Sequence, residues 1–160
     1  HLLSDSCRTH RPDCAQRAFR SPELIVTLAL MTLDADLKTM AQAKNFAALT
    51  TLMPDGQPQT QLMWVHADDE HVFINTETGR QKFRNVEGDP RVTITVFDAD
   101  NPYRYVEARG RVVETETGDT ARANIDELAQ KYTGADYANP IGSERVIVRI
   151  GVDHVHKNGI

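Results

Sequence analysis

Three strand-length segments separated by two tight turn signals, all between Phe46 and Thr76, restrict what this chain can become more than any other feature. Phe46–Met53 (F-A-A-L-T-T-L-M) reads as a strand. Pro54-Asp55-Gly56 then supplies a fixed φ, a side-chain acceptor and a permissive third residue, the makings of a reversal. Gln57–Ala67 reads as a second strand, and Asp68-Asp69-Glu70 turns the chain once more into His71–Thr76. Connections this short join antiparallel neighbours, so the three segments predict a meander.

The remainder extends the same pattern. Arg91–Phe97 alternates, with Val92, Ile94 and Val96 on one face. Tyr103–Glu116 is a long strand whose interior Gly110 marks a bulge or sharp bend. Arg145–Val152 is the last strand. Three helices interrupt the series. The first spans Thr32–Lys44, with Thr32 as its cap and Leu33, Leu37, Met40 and Ala41 as its apolar stripe. A short basic helix follows from about Arg80 to Gly88, with Phe83 and Val86 inward. The third, Gly118–Tyr132, turns Ala121, Ile125, Leu128 and Ala129 inward and stops at Gly134. Six closely spaced strands without βαβ alternation predict a mainly β, antiparallel barrel with peripheral helices. At 160 residues one domain is expected, over 31–160; residues 1–30, rich in Arg and Ser, lack a core pattern and read as an N-terminal extension.

Charge narrows the function. The net charge is −5, and residues 31–160 carry 14 basic against 20 acidic side chains. Yet Arg80, Lys82 and Arg84 fall within five residues, directly after a strand and the turn Thr76–Gly79. The first turn of a helix favours acids, because its free N–H groups carry partial positive charge. Extra cations there suit a phosphate, held by backbone donors and countercharge together; a solvated basic face is the competing reading. An acidic chain with one local cation cluster argues against nucleic acid and for a small anionic ligand. No apolar run approaches the ~20 residues that cross a bilayer, so no membrane role is expected. Cys7, His10 and Cys14 lack further ligands, and His154 and His156 lack a third, so no metal site is expected. Neither a nucleophile elbow, a zinc-protease motif nor a dinucleotide fingerprint occurs, yet such a chain can still be an enzyme if a cofactor carries the reaction.

From Phe46 to Val152 the chain resembles the split β-barrel flavin and deazaflavin oxidoreductases, the superfamily that includes pyridoxamine 5'-phosphate oxidase. The segments that carry the resemblance are A-L-T-T-L-M-P-D-G-Q-P-Q (48–59), K-F-R-N-V-E-G-D-P-R-V-T-I (82–94) and Y-V-E-A-R-G-R-V (105–112). The resemblance implies a six-stranded antiparallel split β-barrel of the FMN-binding type. It also implies a cytoplasmic homodimer with two cofactor sites at the subunit interface and a small-molecule substrate. Lys82 matches the family's phosphate-contacting lysine, and with Gly79, Arg80 and Arg84 is expected to hold the cofactor's anionic tail. The ring is expected along Gln59, Thr60, Gln61, Leu62, Met63 and Trp64 and against Ile74 and Asn75, with Asn75 or nearby backbone amides on a ring carbonyl. Tyr105, beside Arg104, is expected to reach the partner's cofactor.

Departures from the pattern select the branch. Gln59 and Trp64 stand where the oxidase proper carries basic residues, and its arginine- and tryptophan-bearing C-terminal motif is absent. Pyridoxamine-phosphate oxidation is therefore not expected. T-L-M-P-D-G-Q-P, Trp64, G-R-Q-K-F-R-N and D-P-R-V look most like the branch that binds coenzyme F420, a deazaflavin with a long anionic tail. The expectation is an F420-dependent oxidoreductase acting on an acceptor such as an activated alkene, with no catalytic side chain identified. FMN is the alternative cofactor, and a flavin-, deazaflavin- or haem-binding protein without turnover the third reading.

Overall fold

The structure, a computed structural model, describes residues 32–160; the extension expected over 1–30 lies outside the described residues. Its elements are α1 (Ala35–Gln42), β1 (Phe46–Leu52), β2 (Pro58–Trp64), β3 (His66–Ala67), β4 (Val72–Glu77), α2 (Gln81–Gly88), β5 (Arg91–Phe97), β6 (Tyr105–Thr117), α3 (Asp119–Thr133) and β7 (Arg145–Asn158). All ladders are antiparallel, and the sheet runs in the order β2-β1-β5-β6-β7-β4-β3. The mainly β, antiparallel expectation holds, with three helices.

The strand count is corrected from six to seven. The segment expected to be one strand over 57–67 pairs with β1 as far as Trp64, then with β4 at His66 and Ala67. Val65 alone separates the two, so one residue joins opposite ends of the sheet order. The ladder itself stays open between β2 and β3. Val65 has left both ladders, and its backbone groups find side-chain partners on α3. Its N–H donates to the Tyr132 hydroxyl at 3.2 Å, and its carbonyl accepts from Lys131 Nζ at 2.7 Å. The Tyr132 hydroxyl in turn donates to the Asn45 carbonyl. Buried backbone groups require such partners, and here α3 provides them.

Two other boundaries differ. The cap of α1 is Asp34, not Thr32: its carboxylate accepts the amides of Asp36 and Leu37 at 3.0 and 3.1 Å. Asp34 directly precedes the first helical residue, where a side-chain oxygen reaches the free first-turn donors. β7 runs on to Asn158 and so takes His156 and His154 into the ladder, opposite Glu107 and Arg109. The bend expected at Gly110 is present as a register shift between Arg109 and Gly110. A Cβ at Gly110 would lie 2.0 Å from the Gly151 carbonyl oxygen, so only glycine permits this approach.

Leu37, Ile74, Ile94 and Ile150 form the centre of the main core, between the inner faces of the strands and helices α1 and α2. A smaller cluster of Ile125, Leu128 and Tyr132 lies under α3, with Trp64 and Tyr137 against it. On the opposite side of β1 and β5, the short side chains of Ala48, Thr50, Thr93 and Thr95 are only half-buried. Among the described residues no helix is long and apolar enough to cross a membrane.

Candidate functional site

The short basic helix is positioned by its own buried face. Phe83 and Val86 enter the core, and the Asn85 amide donates to Thr51 Oγ1 at 2.9 Å and to Gln59 Oε1 at 3.0 Å. Asn85 also accepts from Gln81 Nε2 at 2.8 Å, so α2 is fastened to β1 and β2 by a satisfied polar cluster. This leaves its first turn directed at a groove. Arg80, in extended conformation, is the N-cap, no side chain caps the turn, and no acidic residue occupies it.

The groove has a volume of about 300 Å³ and is walled by six parts of the chain. β2 contributes Leu62, Met63 and Trp64; β4 contributes Asn75, Thr76 and Glu77. Arg80 and Lys82 come from the start of α2, and Ile125 from α3. Tyr137 and Asn139 come from the segment between α3 and β7, and Arg145 is the first residue of β7. Three cations thus face a single carboxylate.

Glu77 and Arg145 are buried at side-chain exposures of 5% and 7% and lie opposite each other in the β4–β7 register. One Glu77 oxygen accepts the amides of Gly142 and Ser143, both at 3.0 Å; the other faces Arg145 at 3.4 Å and Arg80 at 3.7 Å. Burial pushes the Glu77 carboxyl up, but the Ser143 and Gly142 donors and the two guanidinium groups outweigh it, and its pKa falls below the usual glutamate value. Arg145 donates from Nε to Asn75 Oδ1 at 2.8 Å, and its guanidinium lies 5.1 Å from the Tyr137 ring centre. Lys82 differs from both. Burial first, then the charges of Arg80 and Arg145, hold its pKa below the ordinary lysine value, and only Glu77 acts in the other direction. A half-buried ammonium repelled by two guanidinium groups is the arrangement that an anion relieves.

Of the residues expected to hold a cofactor, Leu62, Met63, Trp64, Asn75, Arg80 and Lys82 line the groove. The rest are placed elsewhere. Gln59 is engaged by Asn85, and Thr60 exchanges a 2.8 Å hydrogen bond with Thr50. Gln61 is exposed, and Ile74 points wholly into the core because it occupies the inward register of β4. The Gly79 amide donates to Ser143 Oγ at 2.9 Å, and Arg84 binds back onto the Gly79 carbonyl and Gln81. Tyr105 begins β6 opposite Phe97, outside this groove. The Asn75 amide, at 5% exposure, has internal partners on both ends: it accepts from Arg145 and donates to Ala121 O and Asn124 Oδ1 at 2.8 and 3.0 Å. Trp64 stacks one face on Tyr132, at 5.1 Å and 4°, and meets Tyr137 edge-on at 6.2 Å. It is therefore both a packing residue and a wall of the groove. Glu77, Tyr137, Asn139 and Arg145 were not anticipated; a charged residue at the head of the apolar run R-V-I-V-R-I was the one signal for Arg145.

The sequence profile of the family described as Pyridoxamine 5'-phosphate oxidase matches residues 33–159. The structure of an F420 reductase is 31% identical, with a TM-score of 0.68 over 79% of this chain and 100% of that one. A conserved hypothetical protein from Mycobacterium tuberculosis is 26% identical, with a TM-score of 0.57 over 79% of this chain and 85% of that one. The General Stress Protein 26 of Bacillus anthracis is 18% identical, with a TM-score of 0.59 over 76% of this chain and 90% of that one, and supports the fold alone. No curated protein matches.

Proposed function

Because the chain belongs to the pyridoxamine 5'-phosphate oxidase family, we propose that it is an oxidoreductase with a deazaflavin of the F420 type as coenzyme and a small organic acceptor, such as an activated alkene, as substrate. The observation that carries this reading is the Lys82 ammonium, half-buried beside Arg80 and Arg145 in a groove with one carboxylate. Such a donor set fits an anionic tail: Arg80 and Lys82 would grip a phosphate by charge-assisted hydrogen bonds, next to uncapped first-turn amides of α2. Leu62, Met63, Trp64 and Tyr137 would flank a ring system and keep water from it. Bound there, the coenzyme would supply the hydride, which accounts for a chain without a hydrolytic constellation. The likeness to an F420 reductase over that protein's whole length supports the deazaflavin over FMN.

We further infer a homodimer. The half-buried carpet of Ala48, Thr50, Thr93 and Thr95 offers a face of short side chains on which a second copy could pack. Tyr105, absent from its own chain's groove, would then be free to approach the partner's.

Side-by-side titration with F420 and FMN tests the assignment, read by quenching of coenzyme fluorescence. F420 is expected to bind more tightly, and the loaded protein to reduce enone or quinone-like acceptors. Tighter FMN binding would move the assignment to a flavin enzyme, and binding without turnover to a carrier. In the same assay Lys82→Ala should weaken affinity by about 1.5–3 kcal/mol, the range for hydrogen bonds to charged groups, with thermal melting of the ligand-free protein nearly unchanged. Lower stability with unaltered affinity would make Lys82 a structural residue.

A further inference from the structure

We propose that Glu77 is a positioning residue for the anion end of the groove: it straps the segment Gly142–Arg145 onto the turn that opens α2, so that the grip of Arg80 and Lys82 depends on a carboxylate that itself repels the anion. This rests on the anion-binding reading above and adds a residue whose charge has the wrong sign for the ligand.

The strap can be followed atom by atom. Glu77 is the last residue of β4, and Oε2 accepts from Gly142 N and Ser143 N at 3.0 Å each and from Ser143 Oγ at 3.3 Å. Ser143 Oγ in turn accepts from Gly79 N at 2.9 Å, within the turn that leads to Arg80. A Cβ on residue 79 would come within 2.8 Å of that hydroxyl oxygen, so glycine is what allows the contact. The Gly79 carbonyl accepts from Arg84 at 2.7 Å, which ties the turn to the body of α2. One carboxylate therefore joins two segments more than sixty residues apart in the chain and holds the peptide on which Arg80 is mounted. Its second oxygen faces Arg145 at 3.4 Å and Arg80 at 3.7 Å, so it offsets one of those two charges and, with Lys82, the groove keeps a positive balance.

Simple charge neutralisation is the competing role, and the two give effects of opposite sign. Removing a carboxylate from a cationic groove should tighten anion binding if charge is all that matters. Removing the strap should weaken it, because the donors no longer converge. Glu77→Gln preserves size but has one oxygen for two donor sets, so its amide N–H2 must face either the Gly142 and Ser143 N–H groups or the Arg145 and Arg80 guanidinium groups, and it removes the charge and weakens the strap together. Ser143→Ala keeps the charge and cuts the hydroxyl link to Gly79.

The probe is inorganic pyrophosphate, titrated calorimetrically into the full chain. Expected are a fall in affinity of at least tenfold for Glu77→Gln and of three- to tenfold for Ser143→Ala. Affinity equal to or tighter than wild type in Glu77→Gln overturns the proposal, as does a wild-type protein that takes up no pyrophosphate. Should Glu77→Gln fail to fold, Ser143→Ala decides, and unchanged affinity there overturns it equally. A wild type that binds pyrophosphate but neither F420 nor FMN would remove the coenzyme assignment and still read the role of Glu77.

Discussion

Glu77 also makes a statement about acid stability. Its pKa lies below the usual glutamate value in the folded chain, so the unfolded chain takes up the proton first as pH falls. The stabilisation is therefore complete above the unfolded value, about 4.5, and is lost as pH drops from there through the folded value. Urea midpoints measured from pH 6 to pH 3 should fall more steeply for wild type than for Glu77→Gln; parallel lines would show that the carboxylate is not linked to folding. This residue was not legible in the sequence, whereas Arg80 and Lys82 were. The two cations advertise themselves locally, through a strand, a turn and charges where acids are favoured. Glu77 acquires its role only by facing Arg145 across a β4–β7 register that no local pattern encodes. Asn75 shows the converse: a polar side chain at the end of a strand reads as a ligand contact until its internal donors and acceptors are known.

At the scale of elements, α3 is more than a cover for the sheet. Its last turn places Tyr132 and Lys131 on the backbone of Val65, the residue where the chain changes pairing partner. Tyr132→Phe keeps the ring stacked between Trp64 and Phe46 but leaves Val65 N and Asn45 O without their hydroxyl partner. An unsatisfied buried group of this kind costs about 1–3 kcal/mol, which equilibrium urea unfolding should resolve. A loss within the error of the fit would mean that water takes the place of the hydroxyl. The helix was readable from Ala121, Ile125 and Leu128 at helical spacing, and its stop from Gly134. The break at Val65 was not, since Gln57–Ala67 contains no glycine and its one proline, Pro58, lies at the start. The interruption comes from a change of neighbour.

For the whole molecule, strand content and antiparallel topology followed from turn chemistry and period-2 alternation, both local signals. The count of seven did not, because β3 is two residues long and defined only by pairing. The proposed homodimer brings the same face of two copies together. If the face carrying Ala48, Thr50, Thr93 and Thr95 is the contact, Thr93→Lys should place two long cations in a closely packed, self-complementary patch. Sedimentation velocity is expected to show two-chain particles for wild type and single chains for the variant, with coenzyme affinity falling alongside. A variant that remains two-chain would move the contact elsewhere on the surface.

The sheet order has a consequence for how the chain is made. β4 finds its long ladder partner only in β7, the last strand to be synthesised, and the groove needs Arg145 from that strand beside Trp64 from β2. A growing polypeptide can complete its early hairpin, yet the groove proposed to hold a coenzyme is not whole until β7 emerges. Chains cut short before residue 145 should therefore lack the proposed site and gain no stability from added coenzyme.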